Sequence, residues 1–159
     1  MDIHGEVTFD AAALRAMAAL TDQDQLAHFM PHGSELSRID DRTFAFSVTR
    51  ALGITTVNLA GTMAVTPVEA TKSLRFQVEG RHVIGGSALL DLAIRLDGDA
   101  DHCFLAYSGT VQATGLVGKF LTLGEDRVQQ RVKTAFADFG RRLERQQKVG
   151  LAHQGSADR

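Results

Sequence analysis

The sequence predicts an α+β fold in which a strand and two short helices precede six further antiparallel strands and one long C-terminal helix. Three observations predict it. Apolar and polar residues alternate over residues 2–9 and again over most of 34–114, which is typical of strands with one buried face. Short turn sequences divide the second stretch into separate segments. After residue 115, the apolar spacing changes to that of an amphipathic helix.

The composition limits the class of protein. The chain has 159 residues, enough for one domain with a hydrophobic core. Its net charge is −2 and it has no basic run, which argues against a nucleic-acid partner. Its single cysteine, Cys103, cannot form an internal disulfide and fits a reducing cytosol.

Membrane insertion and export are not expected either. The first ten residues include acidic side chains and lack the apolar segment of a signal peptide. No apolar run approaches the ~20 residues that span a bilayer. We therefore expect a cytoplasmic protein that is soluble or at most peripheral to a membrane.

The first strand and the first helix follow from the pattern over residues 2–20. Alternation places four residues of the strand on one side: Ile3, Gly5, Val7 and Phe9. We expect Asp10 to cap a helix over 11–20, in which Leu14, Met17 and Ala18 have helical spacing.

A second short helix is predicted over 21–30. Thr21 or Asp22 would cap it, and Pro31 would end it because proline removes a helical hydrogen bond. The chain then returns to strands. The predicted strands, linked as an antiparallel meander, cover 34–39, 42–50, 55–65, 72–80, 87–96 and 102–114.

The last helix is predicted over 116–147, followed by a polar tail over 149–159 that we expect to be flexible. A core-facing stripe within about 100° of arc supports the helix. The stripe consists of Val117, Leu121, Val128, Val132, Ala135, Phe136, Phe139 and Leu143.

The beginning of this helix has a second apolar stripe, formed by Leu116, Phe120 and Leu123. Arg127 lies in line with it at helical spacing. The same stretch contains glycines at 115, 118 and 124, which permit a close approach to the sheet or to a ligand. Two interpretations remain open: the stripe forms a gate or landing surface, or the two short helices cover it.

Several segments resemble the START-like, helix-grip superfamily, and most closely the family of the carbon monoxide dehydrogenase G subunit. The resemblance covers about residues 1–145. The segments that carry it are "GEVTFDA" (5–11), "AALTD" (18–22), "FMPHGSEL" (29–36), "AGTMAV" (60–65), "VEGR" (78–81), "AIRL" (93–96), "YSGTVQATGLVGKFLTLGEDRV" (107–128) and "FADFGRRL" (136–143).

The resemblance implies a single domain over 1–148, with a seven-stranded curved sheet wrapped around the long helix and an apolar cavity between them. It implies a binding protein that takes a quinone or another lipid and serves a molybdenum-containing dehydrogenase. Membrane recruitment or quinone delivery would place it at the inner face of the membrane, in peripheral contact. We expect neither a cofactor nor a metal.

The inward phase of the strands and of the helix then predicts the lining of that cavity. The predicted lining residues are Phe44, Phe46, Leu59, Met63, Phe76, Val78, Leu90, Leu92, Leu105, Tyr107, Val111, Leu121 and Val128. The residues predicted at the cavity mouth, or at a surface for a membrane or partner, are His32, Leu116, Phe120, Leu123 and Arg127.

Catalysis is the alternative. No known catalytic motif is present, and Tyr107 is the one clear titratable side chain on the predicted inner face. Its hydroxyl would bind a ligand, a water or a backbone group. A cyclase or dehydratase acting on a polyketide or aromatic substrate would need more such groups, which a one-residue shift of strand phase would supply from Glu79 or Asp91. An adaptor with a filled cavity is a third interpretation.

Overall fold

A computed structural model of the chain describes residues 1–30, 33–52, 55–68, 72–82, 85–115, 117–118 and 124–157. The prediction of a curved, seven-stranded antiparallel sheet around a long C-terminal helix is confirmed. The strands are β1 (Asp2–Phe9), β2 (Glu35–Arg38), β3 (Thr43–Leu52), β4 (Thr55–Val68), β5 (Ser73–His82), β6 (Ser87–Gly98) and β7 (Cys103–Thr114).

The sheet order is β1-β7-β6-β5-β4-β3-β2, so the first strand pairs with the last and the other six form the predicted meander. The strand phase also agrees with the prediction. In β5, Leu74 and Phe76 are buried whereas Arg75 and Gln77 are exposed. Because side chains alternate across a strand, this phase gives the sheet one apolar concave face and one polar outer face.

The first helix, α1 (Ala13–Ala19), differs from its prediction. Asp10 does not cap it. The residue before the helix is Ala12, which provides no side-chain cap, and its amide donates instead to Gln147 Oε1 at 2.7 Å. The Asp10 amide donates to Glu144 Oε1 at 2.9 Å, so side chains of the C-terminal helix bind the amides of the segment just before α1.

The buried face of α1 agrees with the predicted stripe only in part, since Met17 packs against the core and Leu14 does not. Ala16 is fully buried and Ala19 nearly so, whereas the Leu14 side chain is 86% exposed. The small alanines allow the helix to lie close to β6 and β7, and Leu14 therefore points away from the core.

The second helix, α2 (Gln23–Ala27), begins as predicted. The Asp22 carboxylate accepts a hydrogen bond from the Gln25 amide at 3.2 Å and caps the helix. Leu26 is the buried residue of this helix, and the predicted terminator, Pro31, lies outside the described residues.

The long helix, α3, runs from Glu125 to Ala157. It buries Phe136, Phe139, Gly140 and Leu143 from the predicted core stripe and its neighbourhood. It continues past the predicted end at residue 147, and residues 148–157 contain no proline that would break it.

Two glycines of the segment before α3 have the predicted role. Gly115 has a φ of +62°, a left-handed conformation that favours glycine. A Cβ atom at Gly118 would lie 2.8 Å from the carbonyl oxygen of Ala113 on β7. The chain can therefore leave β7 sharply and stay close to its end.

Side chains from helical segments bond to both edges of the sheet. At the β2 edge, the Gln23 amide group of α2 donates to the Leu36 carbonyl at 2.9 Å. At the β1 edge, the Gln129 amide group of α3 donates to the Asp2 carbonyl at 2.7 Å. Among the described helices, none has an apolar stretch long enough to cross a bilayer.

Candidate functional site

The candidate site is an apolar cavity of about 290 Å³ between the concave face of the sheet, α3 and the α1–α2 corner. Of the wall residues that the structure describes, all are apolar except Arg131. The lining residues are Ile3, Leu20, Leu26, Phe29, Met30, Met63, Phe76, Val78, Leu90, Leu92, Ile94, Arg131, Val132, Ala135 and Phe136.

The sheet wall of the cavity follows directly from strand register. Met63 of β4 pairs with Val78 of β5, and Val78 pairs with Leu90 of β6, so these three side chains form a row across adjacent strands. Phe76 and Leu92 form the next pair of the same face. These side chains continue the hydrophobic face of the meander, and they border the cavity.

The helix wall is formed by Val132, Ala135 and Phe136, which lie on one face of α3 because they are three and four residues apart. Ala135 is the smallest of these side chains. Its short side chain leaves room between α3 and the sheet that a leucine at the same position would occupy.

Five of the predicted lining residues border this cavity: Met63, Phe76, Val78, Leu90 and Leu92. The structure places the others elsewhere. Phe44 is fully buried and lies beneath the Arg38 guanidinium, 4.9 Å from its ring centroid. The other residues that do not line it are Phe46, Leu59, Leu105, Tyr107, Val111 and Val128, and Leu121 lies outside the described residues.

The absence of a side chain at Gly80 on β5 explains why Leu59 and Phe46 do not line the cavity. A Cβ atom at Gly80 would lie 2.9 Å from Leu59 Cγ and 3.2 Å from Phe46 Cζ. Leu59 and Phe46 therefore fill the place where Gly80 has no side chain, and they pack against backbone instead of bordering the cavity.

Tyr107 is turned away from the cavity by its neighbours. Its ring stacks on Phe136, with centroids 4.6 Å apart, and it lies over Gly5, its direct partner on β1. The side chain is 4% exposed, and burial raises the pKa of its hydroxyl. Tyr107 thus packs against Phe136, a residue of the cavity wall, without bordering the cavity itself.

Sequence reasoning missed most of the helical side of the cavity. Val132, Ala135 and Phe136 belong to the predicted core stripe of α3, but a stripe does not indicate which of its members border empty space. The remaining missed residues are Ile3, Leu20, Leu26, Phe29, Met30, Ile94 and Arg131.

A groove adjoins the cavity at the end of α2. It shares Phe29, Met30, Arg131 and Ala135 with the cavity wall. The residues that it adds are His28, Arg127, Gln130, Thr134 and Asp138. Arg127, predicted at the mouth, lines this groove, whereas the other predicted mouth residues, His32, Leu116, Phe120 and Leu123, lie outside the described residues.

Phe29 separates the groove from the core and is held by three aromatic or cationic neighbours. Its ring lies 5.5 Å from both Phe136 and Phe139 of α3. The Arg142 guanidinium lies 5.7 Å from its centroid. Burial lowers the pKa of Arg142, and its Nε and one Nη atom are buried without a hydrogen-bond partner in the described part of the chain.

The carboxylates considered for catalysis lie on the outer face. Arg75 donates to both oxygens of Asp91, at 3.0 and 2.6 Å, and these bonds lower the pKa of that carboxyl. Glu79 is exposed, 3.7 Å from Arg81. Over the described ranges, no three His, Cys, Asp or Glu side chains come together as metal ligands.

Cys103 and His102, at the start of β7, point in opposite directions, as alternation predicts. Cys103 is 1% exposed, and burial raises the pKa of its thiol to about 11. His102 is exposed, and its Nδ1 lies 3.2 Å from the Asp10 carboxylate. The two side chains therefore form no nucleophile–base pair.

Solved structures with the same fold cover nearly the whole chain. A conserved protein from Geobacillus kaustophilus matches with a TM-score of 0.71 and 15% identity, over 92% of this chain and 94% of its own. A START superfamily protein from Mycobacterium smegmatis matches with a TM-score of 0.56 and 16% identity, over 89% and 98%. At these identities the likeness establishes the fold alone.

A family model describes the sequence more specifically. The model for the carbon monoxide dehydrogenase G subunit (CoxG) matches residues 5–147. A search of curated proteins finds no match. The family match spans every strand but the first residues of β1, both short helices and most of α3, including all the cavity-lining residues except Ile3. The chain therefore belongs to the CoxG family, that of the carbon monoxide dehydrogenase G subunit.

Proposed function

We propose that the protein binds a small apolar molecule, a quinone or another lipid, in the cavity and does not transform it. One observation carries the proposal: the cavity of about 290 Å³ has a single charged residue among the described residues of its wall. Apolar pockets with few polar groups select apolar ligands. Each methylene removed from water contributes about 0.8 kcal/mol toward binding.

The cavity volume limits how much of a ligand it encloses. At the ~30 Å³ that a water occupies in the liquid, 290 Å³ corresponds to about ten water-sized groups. A quinone ring or a short stretch of a lipid tail has this size. A longer tail would extend past Phe29 and Met30 into the adjoining groove.

Family membership supports a role as an accessory protein of a dehydrogenase. The family is named for a component of carbon monoxide dehydrogenase. We infer that the protein is accessory to a molybdenum-containing dehydrogenase of that kind. Carrying a quinone, or bringing the enzyme to the inner face of the membrane by peripheral contact, would make use of a lipid-sized cavity.

The enzymatic alternative, a cyclase or dehydratase in the same cavity, needs two or more titratable groups directed at the substrate. Among the described lining residues, only Arg131 has a titratable side chain. Asp91 and Glu79 lie on the opposite face of the sheet. These positions favour binding over catalysis.

A cavity-filling variant tests the proposal. Ala135→Leu places three additional carbons in the cavity and should abolish binding of a short-chain quinone, measured by equilibrium dialysis, while the protein stays folded. Ala18→Leu is the matched control, because Ala18 is an exposed position of α1. Absence of quinone and lipid binding by the unaltered protein, or unchanged binding by folded Ala135→Leu, would refute the proposal.

A further inference from the structure

Two arginines lie where the apolar cavity meets the groove. Arg127 and Arg131 are one helical turn apart on α3, and both line the groove. Arg131 also lines the cavity, so its guanidinium belongs to both spaces. The arginine pair is thus placed where a molecule inside the cavity would reach solvent.

The guanidinium of neither arginine has an ion pair or a hydrogen bond to any residue that the structure describes. Asp138, the one acidic residue among the described residues of the groove, is paired with Arg141. Like charges four residues apart destabilise a helix. The two arginines therefore do not stabilise the helix. An anion bound between them would offset their repulsion.

We propose that the lipid that binds in this cavity is a single-chain amphiphile with an anionic head, a carboxylate or a phosphate. Its apolar tail enters the cavity, and its head is held at the groove by Arg131 and Arg127. This inference rests on the proposed binding function and adds the chemical class of the ligand.

The geometry separates the two parts of such a ligand. Arginine matches carboxylate and phosphate with paired N–H donors, and these charge-assisted bonds are stronger than neutral ones. The other described residues of the cavity wall are apolar, and a volume of about 290 Å³ accepts about ten tail carbons. Met30 and Met63, which are flexible, adapt that wall to tails of different shape.

Three probes distinguish the head from the tail: decanoate, decanol and acetate, each titrated into the full-length protein by calorimetry. Decanoate should bind about tenfold more tightly than decanol at low salt, and added salt should narrow the difference because exposed ion pairs are screened. Acetate should not bind measurably, because it has no tail to bury.

Two variants locate the head. Arg131→Gln and Arg127→Gln should each weaken decanoate binding severalfold. Arg127→Gln, which alters no described residue of the cavity wall, should leave decanol binding unchanged. Arg145→Gln removes the same charge from an exposed position of the same helix and should change neither. Circular dichroism melting curves check that each variant is folded.

The outcomes separate this inference from the proposed function. Equal affinities for decanol and decanoate, or loss of both in Arg127→Gln, would overturn the anionic head while leaving the cavity as the binding site. Acetate binding as tight as decanoate would overturn it as well. Failure of every tailed probe and of the quinone to bind would overturn the proposed function itself.

Discussion

Tyr107 of β7 stacks on Phe136 of α3 with ring centroids 4.6 Å apart and planes inclined by 22°. This pair ties the sheet to the helix directly behind the cavity, since Phe136 also lines the cavity. Offset or parallel aromatic pairs contribute about 0.5–1.5 kcal/mol beyond the area that they bury. The pair therefore fixes how closely α3 approaches the sheet at this point.

We expect Tyr107→Phe to keep both stability and quinone binding, because the hydroxyl has no hydrogen-bond partner among the described residues. Tyr107→Ala should lower the free energy of unfolding by about 3 kcal/mol, the cost of removing a buried aromatic ring. Urea unfolding and equilibrium dialysis measure the two effects. Loss of binding in a stable Tyr107→Phe protein would instead assign the hydroxyl to the ligand.

Gly5 is the position that makes room for Tyr107. A Cβ atom at Gly5 would overlap the Tyr107 ring and hydroxyl. Gly5→Ala should therefore destabilise the protein by about 1–3 kcal/mol, as overpacking does. A double-mutant cycle with Tyr107→Leu gives the control: the cost of Gly5→Ala should nearly vanish in that background. An equal cost in both backgrounds would place the strain elsewhere.

Stability should fall in alkaline solution because of Cys103. Burial raises the pKa of its thiol from 9.0 to about 11. The folded protein therefore keeps a proton that the unfolded chain releases, so its contribution is complete below about pH 9 and is lost as the pH rises toward 11. Between about pH 8 and 10.5, the loss amounts to about 2 kcal/mol.

Cys103→Ala isolates this contribution, since Tyr107, whose pKa is also raised, remains in place. Chemical denaturation at the two pH values should show a smaller alkaline loss in the variant than in the unaltered protein. The folded protein should also resist alkylation of its thiol, which is buried and neutral at neutral pH. An identical alkaline loss in both proteins would contradict the assignment.

Burial of the Arg142 guanidinium lowers the stability of the fold, and its contacts with two aromatic rings do not offset this loss fully. Two of its nitrogen atoms are buried without partners in the described part of the chain, although the guanidinium lies over Phe29 and Phe139. An unsatisfied buried polar group costs about 1–3 kcal/mol. Arg142→Met retains the packing and should leave the free energy of unfolding unchanged or raise it by about 1 kcal/mol.

The control for this substitution is Arg141→Met, at the exposed neighbouring position that pairs with Asp138. It should change the free energy of unfolding little, as expected for a surface pair. Thermal melts of the two variants allow the comparison. A clear loss of stability in Arg142→Met alone would mean that the guanidinium has a stabilising partner.

Local patterns determined the order and type of the elements and the face on which each strand residue lies. Alternation placed Phe76 and Leu92 inward and Asp91 outward, and the structure agrees because any other phase would expose the apolar face of the sheet. The cap at Asp22 was likewise predictable, since its bond to the Gln25 amide connects residues three apart.

Tertiary structure decided what such local patterns do not specify. Asp10 does not cap α1 because the helix begins only at Ala13, and the Asp10 carboxylate lies 3.2 Å from His102 Nδ1 instead. Glu144 and Gln147, more than 130 residues away, bind the amides just before the helix. The same holds for the cavity. Phe44 and Phe76 have the same inward phase, but Phe76 borders empty space and Phe44 does not. Whether an inward side chain meets another atom or a void depends on how α3 and the α1–α2 corner sit over the sheet, which is set by packing between segments far apart in the chain.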